Sequence, residues 1–255
     1  MTRMLALLYG LICYLVFLFA FLYAIGFVMG LVVPKHIDSG VTGDFATALA
    51  IDLALLGLFA VQHSGMARQG FKRWWTRFVP APIERSTYVL LSSLVLILMF
   101  WQWRPLPQML WNVQDETARW ALYALGASGW FLVLASTFLI NHFDLFGLQQ
   151  VWLHARKRSH SEVPFVIRAL YRIVRHPLYL GFVIAFWATP SMSLGHLLFA
   201  IATTGYILIA IQLEERDLVN AYGDDYRDYR RRVPMLLPWR KRDPQSRPTV
   251  DSGQR

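Results

Sequence analysis

Arg175, His176 and Tyr179 stand together in the stretch VRHPLYLGF, and Glu214 and Glu215 in QLEERDL. An arginine, a histidine and a tyrosine this close offer donors for a carboxylate. A pair of glutamates offers acceptors for an ammonium or for sugar hydroxyls. Tyrosine faces also attract a cationic centre such as a sulfonium. Together these residue types suit a zwitterionic ligand that carries positive charge. Three more polar groups interrupt the apolar sequence: Gln62 with His63, Glu84 with Arg85 and Tyr88, and Asn141 with His142 and Asp144. No metal is expected at His63 or His142, because neither has a histidine partner at i, i+4 or a thiolate nearby. Glycine-rich phosphate loops and a serine nucleophile elbow are both missing from the sequence.

The elements that must position these residues are membrane helices. The 255-residue chain is 56% hydrophobic and only 16% charged, with a mean hydropathy of +0.38, which is outside the range of soluble globular domains. Residues 4–33 run for thirty positions without a charge. About 20 apolar residues suffice to cross the hydrocarbon, so this stretch spans with tilt to spare. Its length and the lack of a small-x-small cleavage site argue against a signal peptide. Five further spans are expected at 45–66, 86–104, 118–141, 177–190 and 192–214, the fifth short and joined to the sixth as a tight hairpin. The fold class is therefore all-α: a polytopic bundle of about six spans, or five if the short one does not cross, with a C-terminal helical segment on the cytoplasmic side. Residues 1–240 read as one membrane domain and 241–255 as a disordered polar tail. Cys13 is the single cysteine, so an intrachain disulfide is excluded.

In this six-span scheme 22 of the 25 lysines and arginines fall on one side. The positive-inside rule places that side, and both termini, in the cytoplasm, with the protein in the inner membrane. The net charge of +9 is then explained by topology and contact with anionic membrane lipids, and no nucleic-acid partner is expected. The sequence specifies no oligomeric state.

All the polar groups above then lie at the cytoplasmic ends of five helices. Any one of them is an ordinary interfacial residue, but amides, imidazoles, tyrosine and glutamates are not the usual lysine, arginine and tryptophan anchors. A shared polar cavity is the expectation. Asp52 lies in the opposite half of its span and reads as a structural hydrogen-bonding residue. In NAYGDDYRDYRRRVPMLLP, Tyr222, Tyr226, Tyr229 and Arg230 fall on one helical face. That helix lies either in the membrane interface or over the cavity as a roof. Trp74 and Trp75 read as interfacial aromatics.

RHPLYLG, a helical hairpin, LEERDL and YGDDYRDYRRRVPMLLP in succession resemble the C-terminal signature of the isoprenylcysteine carboxyl methyltransferase superfamily of integral membrane methyltransferases. QHSGMARQGFKRWWTRFVPAPIERSTYVLLSSL and STFLINHFDLFGLQQVWL narrow the resemblance to the branch that methylates methanethiol, a small volatile thiol, to dimethyl sulfide. The resemblance implies S-adenosylmethionine as cofactor in a cytoplasm-facing pocket. By position, His176 and Tyr179 would serve its carboxylate, and Leu180 and Gly181 would allow close approach. Glu215 or Glu214 would take the ribose or amino group, Tyr226 and Arg230 would close a lid, and the backbone at Phe165 and Val166 would meet the adenine.

Transfer to sulfur requires a thiolate in line with the methyl group and shielded from water. His142, oriented by Asn141 or Asp144, is the expected proton acceptor. Arg85 would lower the thiol pKa, Tyr88 would line the site, and His63 would contact the substrate. Competing readings are a methyltransferase acting on a lipid or prenylated substrate, an NADPH-dependent membrane reductase, and a non-catalytic membrane protein.

Overall fold

The computed structural model describes residues 2–159, 167 and 169–239. Phe165, Val166 and the 241–255 tail lie outside the described residues. Among those described, five helices are long and apolar enough to cross a membrane: α1 (Arg3–Met29), α2 (Phe45–Ala67), α4 (Ala81–Gln102), α5 (Glu116–Ile140) and α9 (Leu194–Tyr222). The shorter helices are α3 (Gln69–Trp75), α6 (His142–Leu145), α7 (Leu148–Ala155), α8 (Pro177–Trp187) and α10 (Asp224–Arg232). The chain is an integral membrane protein built as a polytopic helical bundle.

Local chemistry sets the helix ends. Asp44, Asp115 and Ser193 each accept from a backbone N–H three residues on, which caps α2, α5 and α9. Pro177 occupies the first position of α8, where its missing N–H costs nothing. Leu5, Leu8, Leu11, Ile12 and Leu15 of α1 are exposed, as expected of a face meant for lipid.

The structure differs from the expected topology in three places. The fifth span stops at Trp187 after eleven residues, because Pro190 disfavours helical geometry at Thr189 and cannot donate an N–H itself. The connection to α9 is not a tight turn but an extended segment. It contains β2 (Ser191–Ser193), paired antiparallel with β1 (Met109–Asn112), so two short strands interrupt the otherwise helical fold. Finally, α9 continues past position 214 to Tyr222, which places Glu214 and Glu215 inside a helix rather than at its exit.

α5 and α8 form the tightest helix pair. A Cβ on Gly129 would sit 2.6 Å from the Ala185 nitrogen, and one on Gly181 would sit 2.7 Å from the Gly129 oxygen. Such backbone-to-backbone contact is how small residues hold helices together in lipid. At the strand end, Asp52 Oδ1 accepts from the Arg104 N–H at 2.9 Å, and the His196 ring bonds the Phe186 carbonyl at 2.9 Å, tying α8 to α9. Phe27, Phe100, Trp103, Phe186 and Phe199 fill the core between them. At the other end, contacts Tyr9–Thr87, Tyr14–His142 and Arg68–Asp217 gather the start of α1, the start of α4 and the ends of α2, α5 and α9. Most of the polar residues singled out in the sequence converge at that end.

Candidate functional site

Glu215 is only 2% exposed, and three side chains meet its carboxylate. Arg175 Nε reaches Oε1 at 2.6 Å, His176 Nε2 reaches the same oxygen at 3.0 Å, and Arg230 Nε lies 3.1 Å from Oε2. A carboxylate this deeply buried needs such partners to remain charged. Arg175 also donates through Nη1 to the carbonyls of Arg230 at 3.1 Å and Val233 at 2.6 Å. The backbone N–H groups of Arg175 and His176 donate to Pro234 and Met235. Arg175 thus fastens the chain after α10 onto the start of α8.

Gly223, with φ +58, turns the chain so that α10 folds back against α9. Tyr226 and Tyr229 are 1% and 3% exposed. The Tyr229 hydroxyl donates to the Tyr171 carbonyl at 2.6 Å. Burial pushes the Tyr229 phenol up to about 12 and raises Tyr226 as well, so both stay neutral at physiological pH. Tyr226 and Tyr229 therefore face inward, whereas Tyr222, which belongs to α9, is exposed.

Beside Glu215, Tyr179 donates to Glu214 Oε2 at 3.0 Å. The Tyr206 and Ser64 hydroxyls bond at 3.0 Å, and the neighbouring His63 has Tyr88 Oη 3.0 Å from Nε2 and Ser92 Oγ 3.3 Å from Nδ1. The Arg85 guanidinium covers the Tyr88 ring at 5.0 Å, while its Nε donates to the Leu145 carbonyl at 2.8 Å. Hydrogen bonds thus link α8 to α9 through Tyr179 and Glu214, α9 to α2 through Tyr206 and Ser64, and α2 to α4 through His63 and Tyr88.

His142 stands on another flank. Thr137 Oγ1 donates its one proton to the Leu134 carbonyl at 2.7 Å, so toward His142 Nδ1, 2.8 Å away, it can only accept. Nδ1 therefore carries the proton, and Nε2 accepts from the Tyr14 hydroxyl at 2.8 Å. Phe138 stacks on the ring at 4.2 Å. Burial lowers the His142 pKa below the ordinary histidine value, in keeping with this neutral tautomer.

The structure brings Arg175, His176, Tyr179, Glu214, Glu215, Tyr226 and Arg230 together, and it joins His63 to Tyr88 and Arg85. His142 faces α1, Asn141 and Asp144 bond to α7, and Arg85 Nε reaches the same turn at the Leu145 carbonyl. Asn141 and Asp144 do not orient His142 as expected: Asn141 accepts from the Asp144 N–H and donates to Gln149, and Asp144 Oδ1 accepts from Gln150. Thr137 and Tyr14 do that work because the turn after α5 faces the ring back toward its own helix. Leu180 is in the first turn of α8, and Gly181 faces Gly129. Phe165 and Val166 fall outside the described residues. Tyr206, Ser64, Tyr14 and Thr137 went unnoticed in the sequence. Tyr206 had a readable signal, since it precedes Glu214 by eight positions, about two helical turns, and so shares its side of α9.

The family model described as NnrU protein matches residues 53–214. The chain is 60% identical to the methanethiol S-methyltransferase of Mycobacterium tuberculosis, with 94% of this chain and 98% of the relative aligned. It is 57% identical to methanethiol S-methyltransferase 1 of Bradyrhizobium diazoefficiens, over 94% of this chain and 84% of the relative. Nurim of Sus scrofa is 32% identical over 67% of this chain and 68% of its own length. No solved structure matches.

Proposed function

The chain belongs to the NnrU protein family, and within it to the group of methanethiol S-methyltransferases, and from that premise we propose that it methylates methanethiol to dimethyl sulfide with S-adenosylmethionine as donor. The near-full-length likeness to these enzymes carries the reading, and the polar end of the bundle supplies a place for the chemistry. Among the described residues most lysines and arginines sit at that end, which the positive-inside rule assigns to the cytoplasm.

The donor set fits the methyl donor. Its carboxylate suits a surround in which Arg175, His176 and Arg230 converge on a single buried glutamate. Its ammonium or ribose hydroxyls suit Glu214, half-buried and held by Tyr179. When bound, S-adenosylmethionine supplies an electrophilic methyl group on a sulfonium.

Tyr226 and Tyr229 roof the site and exclude water, which strengthens every charge interaction beneath them. Both histidines have their two ring nitrogens hydrogen-bonded, His63 to Tyr88 and Ser92 and His142 to Tyr14 and Thr137. His63 serves as the proton acceptor because its partner Tyr88 lies against the Arg85 guanidinium. It takes the S–H proton of methanethiol, and the Arg85 charge beside Tyr88 favours the resulting thiolate. The sulfur lone pair forms the new carbon–sulfur bond. Arg175, His176 and Glu214 would hold S-adenosylmethionine as it gives up its methyl group and leaves as a neutral thioether, with dimethyl sulfide as the other product. The substrate offers little surface for binding, so rate must come from orientation in a dry chamber.

The test is to incubate the purified protein with methanethiol and methyl-labelled S-adenosylmethionine and to assay the headspace by gas chromatography. Labelled dimethyl sulfide is expected. Label transferred to a lipid acceptor in its place, or NADPH consumption without methyl transfer, would replace this reading.

A further inference from the structure

α1 and α7 leave an apolar groove of about 750 Å³ between them, lined by Met4, Leu8, Leu11, Phe143, Leu148 and Trp152. The two helices touch closely where a Cβ on Gly10 would come within 2.5 Å of Val151 Cγ2. Away from that point Leu8, Leu11 and Trp152 remain exposed. The one polar side chain in the groove, Gln149, has its Oε1 committed to Asn141 at 2.7 Å. A peptide laid here would find no partners for its backbone, whereas a hydrocarbon chain needs none.

Trp152 and Leu153 also line a second pocket of about 200 Å³, which they share with Arg156 and Arg158. The Arg156 guanidinium lies over the Trp152 ring at 4.6 Å, so it is held at the junction of the two pockets. Among the described residues, neither arginine is paired with a carboxylate. Tryptophan and arginine on the short helix α7, packed beside the first turns of the membrane-spanning α1, mark the headgroup level.

The geometry points to a binding site for one anionic phospholipid, with an acyl chain in the α1–α7 groove and the headgroup phosphate at Arg156 and Arg158. Two arginines without a carboxylate partner among the described residues favour an anionic headgroup over a zwitterionic one, whose ammonium would be brought beside them. The site is independent of the methyl-transfer reading and stands or falls separately.

The experiment is native mass spectrometry of the full chain taken from nanodiscs of equal phosphatidylglycerol and phosphatidylcholine. The wild type is expected to retain phosphatidylglycerol preferentially. Arg156→Gln and Arg158→Gln should each reduce that preference by about fivefold, the value of one arginine at an anionic surface. Leu8→Trp, which fills the groove from an exposed position, should reduce retention of both lipids. Equal retention of the two lipids by the wild type would overturn the proposal, as would a preference unchanged by both arginine substitutions. Retention untouched by Leu8→Trp, or displacement of the lipid by millimolar inorganic phosphate, would reduce the site to a simple anion pocket and also overturn it.

Discussion

The Nε of Arg175 lies 2.6 Å from Oε1 of Glu215, although forty positions separate the two along the chain and both side chains are buried. This pair closes the polar end of the bundle, because the same guanidinium also holds the chain that follows α10. Removing one partner strands the other charge out of water. Arg175→Ala should therefore destabilise the protein by about 3–5 kcal/mol, read as a lower thermal midpoint in detergent. Arg175→Lys keeps the charge but loses the forked donor geometry, so it should recover only part of that loss.

His63 and His142 should separate in kinetics. His63→Ala is expected to lower turnover by about 10²-fold or more, the usual worth of a positioned proton acceptor, while donor affinity stays within about twofold. His142→Ala should lower turnover less than tenfold. Single-turnover rates and calorimetric binding check both expectations, and the reverse ranking would return the proton to His142.

Stability should fall on acidification through His142. Burial depresses its folded pKa, while the unfolded imidazole titrates near about 6.5. Above that pH the ring is neutral in both states and contributes no pH dependence. Below it the unfolded chain takes up the proton first, so stability declines with falling pH until the lowered folded pKa is passed. His142→Gln should flatten this limb, as measured by thermal midpoints between pH 7.5 and 5.

The α5–α8 contact tolerates no side chain. Gly181→Val would press a branched group against the Gly129 oxygen, which belongs to the backbone and cannot rotate away. A loss of at least about 1–3 kcal/mol is expected, visible as a lower yield of folded protein and a lower thermal midpoint. Gly205→Ala, where a Cβ meets open space, is the matched control.

The helices and the polar end were legible because hydrocarbon imposes a simple code. Long uncharged runs such as 4–33 leave little choice but to span, and amides, imidazoles and glutamates at several helix ends mark a shared level. The motif around Arg175 and Glu215 carried the family resemblance, and the near-full-length relatives bear it out. Pairing was harder to read. Nothing in the order of residues says that His142 turns toward Thr137 and Tyr14 rather than Asn141, since that depends on how the chain leaves α5. The early end of α8 had a sign in Pro190, but hydropathy averaging conceals a single proline. The strand pairing of 109–112 with 191–193 joins segments about eighty residues apart, and neither shows an alternating pattern long enough to announce a strand.

The extended link after α8 bears on how the hairpin is held. At about 1.5 Å per residue, an eleven-residue helix covers roughly half of a hydrocarbon layer about 30 Å thick. The rest of the ascent is non-helical backbone, and lipid offers such backbone no hydrogen bonds. Its partners come from the segment between α4 and α5: the Pro190 carbonyl accepts from Val113, and Leu194 and Gly195 donate to Gln108 and Leu106. Residues 188–195 therefore depend on the α4–α5 connection for their backbone hydrogen bonds, so that connection is as much a part of the α8–α9 hairpin as the hairpin's own residues.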